Sequence, residues 1–349
     1  MTENGGNIMY SFKNDYSEGA HPRILEALNN YNLQQSEGYG EDEFTAKAIK
    51  LIKKKIRRED VDIHFLVGGT QTNLIAISAF LRPHEAAIAA KTGHILVHET
   101  GAIEATGHKV ISVDVEDGKL TRRHIEKVLE EHTDEHMVKP KLVYISNSTE
   151  IGTIYKKEEL EELSQVCKEH DLYLYLDGAR LGSALCSKEN NMEIYELAQL
   201  VDAFYIGGTK GGALMGEALV ICKDSLKMDF RYHIKQKGAL LAKGRLLGIQ
   251  FEELFKDNLY FDLAGHANNM AVILKEGIEG LGYNFMIDSP SNQIFPIFSN
   301  GLIKKLEEKY LFIIWEKIDE ENSAIRLVTS WATDKEKVLE FISDIKSYK

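Results

Sequence analysis

This sequence predicts an α/β fold: a mostly parallel sheet sandwiched between helices, with a small α+β unit at the C-terminal end. Two observations lead there. From about Glu43 to Val220, apolar runs of strand length alternate with amphipathic segments of helix length. After Val220 the alternation stops, and a mainly helical stretch from Ile234 to Leu281 gives way to two strand-like runs and a closing helix. Strands separated by helices of ten or more residues need crossover connections, which make neighbouring strands parallel and cover both faces of the sheet.

The elements follow in order. FTAKAIKLIKKKI predicts a helix, IHFLVGG a buried strand, TQTNLIAISAFL a helix, and HILVHE and HKVISVDV two further strands. LTRRHIEKVLEEH is helical, KLVYISNS a strand, KEELEELSQVCKEH a helix with apolar positions three and four apart, and LYLYLDG a strand again. At the far end, FIIWEKI and AIRLVTSW read as strands and DKEKVLEFISDIKS as a helix. These form the small unit and set a boundary near Asp257, giving a large domain over 1–256 with an N-terminal arm and a small one over 257–349. The 349 residues exceed the usual size of a single core, which fits two domains. No repeat or low-complexity segment interrupts the pattern.

Charge and composition narrow the function. A formal net charge of −12 argues against nucleic acid or an anionic membrane as partner, because both need a basic face. MTENGGNIMYSFKND lacks a basic-then-apolar leader pattern, and LIAISAFL is far short of the roughly 20 residues of a membrane span, so a cytoplasmic protein is expected. Cys167, Cys186 and Cys222 have no metal-ligand spacing and read as reduced core residues. The 12 histidines show no HExxH-like spacing, and no metal site is expected.

Chemistry is expected at the carboxyl ends of the strands, where parallel sheets bind ligands. FYIGGTKGGALMG, Phe204 to Gly216, sets Lys210 among glycines after an apolar strand. It is not a phosphate-binding P-loop, since Gly211 follows the lysine where that motif needs Ser or Thr. Glycine lets backbone come close to a ligand, so Lys210 is expected against something planar, with Thr209 beside it offering a hydroxyl to a phosphate. VGGTQTN reads as strand, glycines and a helix starting near Thr70: a plain strand-to-helix turn with Thr70 as N-cap, or an anion site in which Gly69, Thr70 and Gln71 would hold a phosphate. LDGAR places Asp177 at a strand end with Arg180 three residues on: an ordinary ion pair, or an aspartate for a cationic ring nitrogen that leaves Arg180 for a carboxylate. His94, at the start of HILVHE, would be a structural histidine or one stacked on a ring. A phosphate cradle, an aspartate for a protonated ring, an imidazole and a lysine amine together describe pyridoxal 5'-phosphate. The lysine would hold it as a Schiff base while the ring accepts a carbanion's electrons.

With these residues in place, the sequence resembles the fold type I pyridoxal phosphate enzymes, and within them the threonine aldolase and β-eliminating lyase family. KNDYSEGAHPRILEAL and GYGEDE are similar to that family's opening segments, VGGTQTN to its phosphate loop, and GGTKGGALMG to its lysine loop; LDGAR is its aspartate and arginine motif unchanged. His94, five residues before Glu99, matches its stacking histidine. The resemblance implies catalytic roles for Lys210, Asp177 and His94, and a substrate carboxylate held by Arg180 and by Arg326 of IRLVTSW. It implies a homodimer or homotetramer with shared active sites, in which Lys235 of RYHIKQKG, or Lys237 in its place, reaches a neighbouring subunit's phosphate. Two departures stand out. Asn14 replaces a serine that helps bind the carboxylate, and SNSTEIGT puts Thr149 where the family has a histidine that handles the substrate hydroxyl. Threonine cannot act as a base near neutral pH, so the base would be water, His98, another residue, or absent. The implied reaction is cleavage of threonine or allo-threonine to glycine and acetaldehyde. β-Elimination and transamination on a small amino acid are the alternatives, and a non-catalytic protein that kept the fold is the third.

Overall fold

The structure, a computed structural model, describes residues 9–348. The reading of the first eight residues as free of a leader therefore lies outside the described residues. A seven-stranded sheet forms the centre, in the spatial order Asp62–Leu66, Glu217–Ile221, Ala203–Gly207, Tyr173–Asp177, Lys139–Ser146, Glu85–Ala90 and Val110–Val113. Six strands run parallel and Glu217–Ile221 runs against both of its neighbours. Apolar clusters fill both faces, one built on Ile88, Val143, Leu174 and Phe204 and the other on Ala87, Leu142, Tyr175 and Tyr205. Alternate residues of the same strands thus point into opposite cores, the signature of a sheet covered on both sides.

The helices Glu43–Ile56, Gly69–Phe80, Arg122–Glu131 and Lys157–Glu169 lie where the periodicity predicts them. The strand Glu85–Ala90 is missed by the sequence reading. Its EAAIAA is rich in alanine, a poor strand former, and becomes a strand because parallel neighbours on each side complete its ladder. HILVHE is not a strand: His94–Val97 is a four-residue helix just beyond that strand's end.

The long helix Leu259–Gly280 connects two cores. Leu259, Tyr260 and Leu263 belong to the large one, while Met270, Leu274 and Ile278 pack with Leu302, Ile325 and Phe341. The C-terminal core also holds Phe12, and Tyr10–Ser11 pairs in parallel with Tyr310–Leu311. The N-terminal arm, expected with the first 256 residues, is instead stitched into the C-terminal unit. That unit also carries more strands than the two expected: Asn322–Val328 pairs with Ile313–Lys317, Ile297–Ser299 and Gln293–Ile294. No helix among the described residues is long and apolar enough to cross a membrane.

Candidate active site

The loop after Ala203–Gly207 turns back at once into Glu217–Ile221, and Lys210 stands on it. Its glycines answer to the protein itself. A Cβ on Gly208 would lie 2.7 Å from the Gly216 carbonyl oxygen and 2.8 Å from the Phe251 ring, and one on Gly211 would lie 2.9 Å from the Tyr260 ring. Gly212 adopts φ +97°, a conformation that side chains rarely tolerate. Packing against the protein itself is already sufficient reason for glycine here, where the sequence reading looks to a planar ligand. The amine of Lys210 makes no hydrogen bond to a described residue, and Tyr16 is its nearest ring, 5.9 Å from Nζ to centroid. Burial and the Arg180 charge push its pKa down, against the upward pull of Asp15, Asp177 and Glu217. A buried, neutral-leaning amine is a nucleophile.

Thr209 corrects a second expectation. Its hydroxyl donates to Glu217 Oε1 at 2.8 Å and accepts from the Gly216 amide at 3.1 Å, so it is turned into the protein and not toward a phosphate. Glu217 Oε2 accepts from the Gly208 amide at 3.0 Å. Burial raises the Glu217 carboxyl to about 7. Nothing in the sequence reading marks Glu217, although an acid opening the otherwise apolar run EALVI is a visible signal.

Asp177 ends its strand fully committed. Oδ1 accepts from the Tyr205 hydroxyl and from the Ala179 amide at 3.0 Å; Oδ2 accepts from Tyr144 at 2.6 Å and Asn73 at 3.0 Å. Burial alone would raise its pKa, but the His94 charge and the Tyr144, Tyr205 and Asn73 hydrogen bonds outweigh that, and the net shift is downward. It is a buried carboxylate that stays ionised. Asn73 also donates to Glu99 Oε1 at 2.7 Å, and the same oxygen lies 2.8 Å from His94 Nδ1. Burial opposes a charged His94, yet the Glu99 hydrogen bond and the Asp177 charge carry its pKa upward.

On the anion side, the helix Gly69–Phe80 is capped by Gly68 with no side-chain cap, so the first-turn amides at Gly69, Thr70 and Gln71 come from one residue earlier than a start near Thr70. A Cβ on Gly69 would lie 3.0 Å from the Tyr205 hydroxyl, which ties this turn to the Asp177 cluster. Gln71 Oε1 accepts from the Val67 amide at 3.3 Å.

Arg180 does not pair with Asp177, but neither is it free. Its Nε and Nη2 donate to Asp15 at 2.7 and 3.0 Å, and Asn292 braces the same carboxylate at 2.9 Å. Against burial, the Arg180 and Lys210 charges hold Asp15 down at about 2. Arg326 stacks its guanidinium 5.0 Å over the Trp315 ring, with a buried Nε that has no hydrogen-bond partner among the described residues. Burial and the Arg180 charge lower its pKa to about 10, against the upward pull of Asp15.

Four sequence candidates lie elsewhere. Asn14 turns its carbonyl back on its own turn, accepting from the Tyr16 amide and the Ser17 hydroxyl. Lys235 and Lys237 are exposed at the end of the helix Phe230–Gln236, and Lys235 Nζ sits 4.7 Å from the Tyr39 ring centroid. Thr149 is buried, with its hydroxyl 2.7 Å from that of Thr153, so it does not enter the cleft. Among the described residues, no group of three or more His, Cys, Asp or Glu could hold a metal ion.

Comparison with known proteins places this arrangement. The chain shares its fold with Thermus thermophilus aspartate aminotransferase, at a TM-score of 0.73 and 16% identity over 99% of this chain and 92% of that one. The β-eliminating lyase profile matches residues 18–297. Low specificity L-threonine aldolase of Pseudomonas aeruginosa is 31% identical over 342 residues, 96% of each chain. A solved structure of Leishmania major threonine aldolase superposes at a TM-score of 0.96 with 54% identity, covering 97% of this chain and 99% of that one. The chain belongs to the β-eliminating lyase family.

Proposed function

We propose that this protein is a pyridoxal phosphate-dependent carbon–carbon lyase that cleaves threonine or allo-threonine to glycine and acetaldehyde. One observation carries the reading: a buried lysine amine of lowered pKa, making no hydrogen bond to a described residue, shares a cleft with an aspartate kept ionised despite burial. Those are the two groups that a carbonyl-bearing, ring-protonated cofactor requires, and the residues present fit it. The near-full-length likeness to threonine aldolases supports the choice of reaction.

When bound, the cofactor supplies a conjugated ring that accepts the electron pair left on Cα. Lys210 would be its covalent anchor and the group that moves a proton at Cα. Asp177 would keep the ring nitrogen protonated, and His94, fixed by Glu99, would lie against the ring. The first-turn amides at Gly69, Thr70 and Gln71 would hold the phosphate, with Lys235 contributed across a subunit interface of a homodimer or homotetramer. Arg326 takes the substrate carboxylate, which fills its unpartnered Nε, while Asp15 orients Arg180 behind it. A cytoplasmic location fits this chemistry.

The test is the visible spectrum of the purified protein before and after glycine and then L-allo-threonine, with aldehyde assayed in parallel. A yellow band that shifts with glycine, accompanied by aldehyde from allo-threonine, is the expected result. A shifted band with pyruvate or a keto acid and no aldehyde would mean elimination or transamination; a protein unable to take up the cofactor would overturn the reading altogether.

A further inference from the structure

Cleaving Cα–Cβ beside a hydroxyl requires a group that removes the hydroxyl proton, and most candidates in the cleft are already committed. Asp177 accepts four hydrogen bonds, Asp15 is clamped by Arg180 and Asn292, and both oxygens of Glu217 are held by the lysine loop. His94 has its Nδ1 on Glu99. The loop after the strand Lys139–Ser146 offers something different. Thr149 turns inward, while the next residue, Glu150, sends its carboxyl toward His94: Oε1 accepts from the His94 amide at 2.9 Å and from the Ser146 hydroxyl at 2.7 Å. Oε2 accepts no hydrogen bond from a described residue. A carboxylate anchored through one oxygen, with the other left open beside the residue that covers the cofactor ring, is built to exchange a proton.

We propose that Glu150 is the catalytic base that removes the β-hydroxyl proton of the substrate; this rests on the aldolase reading above. Glu150 Oε2 takes the proton, the O–H pair becomes the aldehyde C=O bond, and the Cα–Cβ pair stays on Cα, which is then protonated. The aldehyde and glycine leave, and Glu150 returns its proton to solvent. The charged and titratable groups around Glu150 are His94, Asp177, Arg180, Tyr144 and Tyr155. Burial, with Asp177 adding to it, raises the carboxyl above its ordinary value, against the Ser146 hydrogen bond and the His94 charge. That moves its basicity toward neutral pH, where a general base is most effective.

The experiment uses holoenzyme, wild type and Glu150→Gln, with two readouts. One is aldehyde release from L-allo-threonine. The other is exchange of the glycine α-proton in D2O, followed by NMR, which uses Lys210 and the cofactor but no β-hydroxyl. The expected result is a loss of roughly 10²- to 10⁴-fold in aldehyde release, with glycine exchange within a few-fold of wild type. Cleavage by E150Q within threefold of wild type would overturn the proposal, as would an equal loss of both activities, or His98→Asn losing cleavage where E150Q does not. Wild type alone gives a second test should E150Q fail to fold. Its cleavage rate should fall on the acid side as Glu150 is protonated while glycine exchange does not, and coincident acid limbs would overturn the assignment. A wild type that exchanges glycine but releases no aldehyde from any β-hydroxy amino acid would defeat the aldolase reading itself, a separate outcome.

Discussion

The two walls of the cleft are built on opposite principles. Both oxygens of Asp177 have found partners: two tyrosines, an asparagine and a backbone amide converge on one carboxylate, and Asn73 passes the network on to Glu99, which keeps one unpartnered oxygen, and to His94. A second set of groups, an open wall in contrast to this closed one, leaves polar atoms waiting. Among the described residues, the buried Arg326 Nε and the Lys210 amine have no hydrogen-bond partner, and Glu150, held through its other oxygen by the His94 amide and Ser146, keeps one oxygen open. A buried polar group without a partner costs on the order of 1–3 kcal/mol, so a protein keeps such groups where something else will meet them. The satisfied groups are fixed by the protein itself, and the unsatisfied ones are left for cofactor and substrate to meet.

Breaking the open wall should cost most. Lys210→Ala removes the anchor and the proton-transfer group together, and aldehyde release should fall roughly 10⁴-fold or more, with loss of the yellow band. Arg326→Met removes the carboxylate partner, and KM for the amino acid should rise about 10²-fold, the value of a charge-assisted hydrogen bond, with kcat changing less. Steady-state kinetics separates the two parameters.

On the closed wall, Asn73→Ala deletes one of four donors to Asp177. The aspartate's pKa should rise, and cofactor affinity, measured by absorbance titration of the apoenzyme, should fall about 10-fold, as expected for one hydrogen bond to a charged group. The pH dependence of folding probes Glu217, whose carboxyl is raised to about 7. Because the folded state holds this proton more tightly than the unfolded chain, Glu217 contributes most below about pH 4.5, and that contribution is lost as pH rises through about 7. In apoenzyme melts, Glu217→Gln should remove up to about 3 kcal/mol of that pH dependence. The smallest effect belongs to Trp315→Ala, which takes away the ring beneath Arg326 and should raise KM a few-fold.

The same contrast explains what could be read in the sequence. Lys210 and Asp177 stand at or just past the ends of apolar runs, and a parallel sheet brings strand ends together, so local pattern was enough to find them; Arg326, inside the antiparallel strand Asn322–Val328, was found only through the family resemblance. The braces were not legible. Asp15 and Arg180 are 165 positions apart and meet only because the N-terminal arm crosses to the other core. Glu150 and His94 are 56 apart and meet because HILVHE is a short helix presenting an amide, which strand-like periodicity concealed. EAAIAA became a strand through its neighbours, against its own propensity. Glu217 was visible as an acid in an apolar strand, yet its role depends on the path of the preceding loop, which no periodicity describes.

The most direct test of the account asks which residue carries the cofactor. Reducing the loaded protein with borohydride and mapping its peptides by mass spectrometry should place a single phosphopyridoxyl group on Lys210, with none on Lys235 or Lys237. A stable adduct on another lysine, or a loaded protein with Lys210 unmodified, would contradict the assignment of the buried, unpartnered Lys210 amine as the cofactor's anchor.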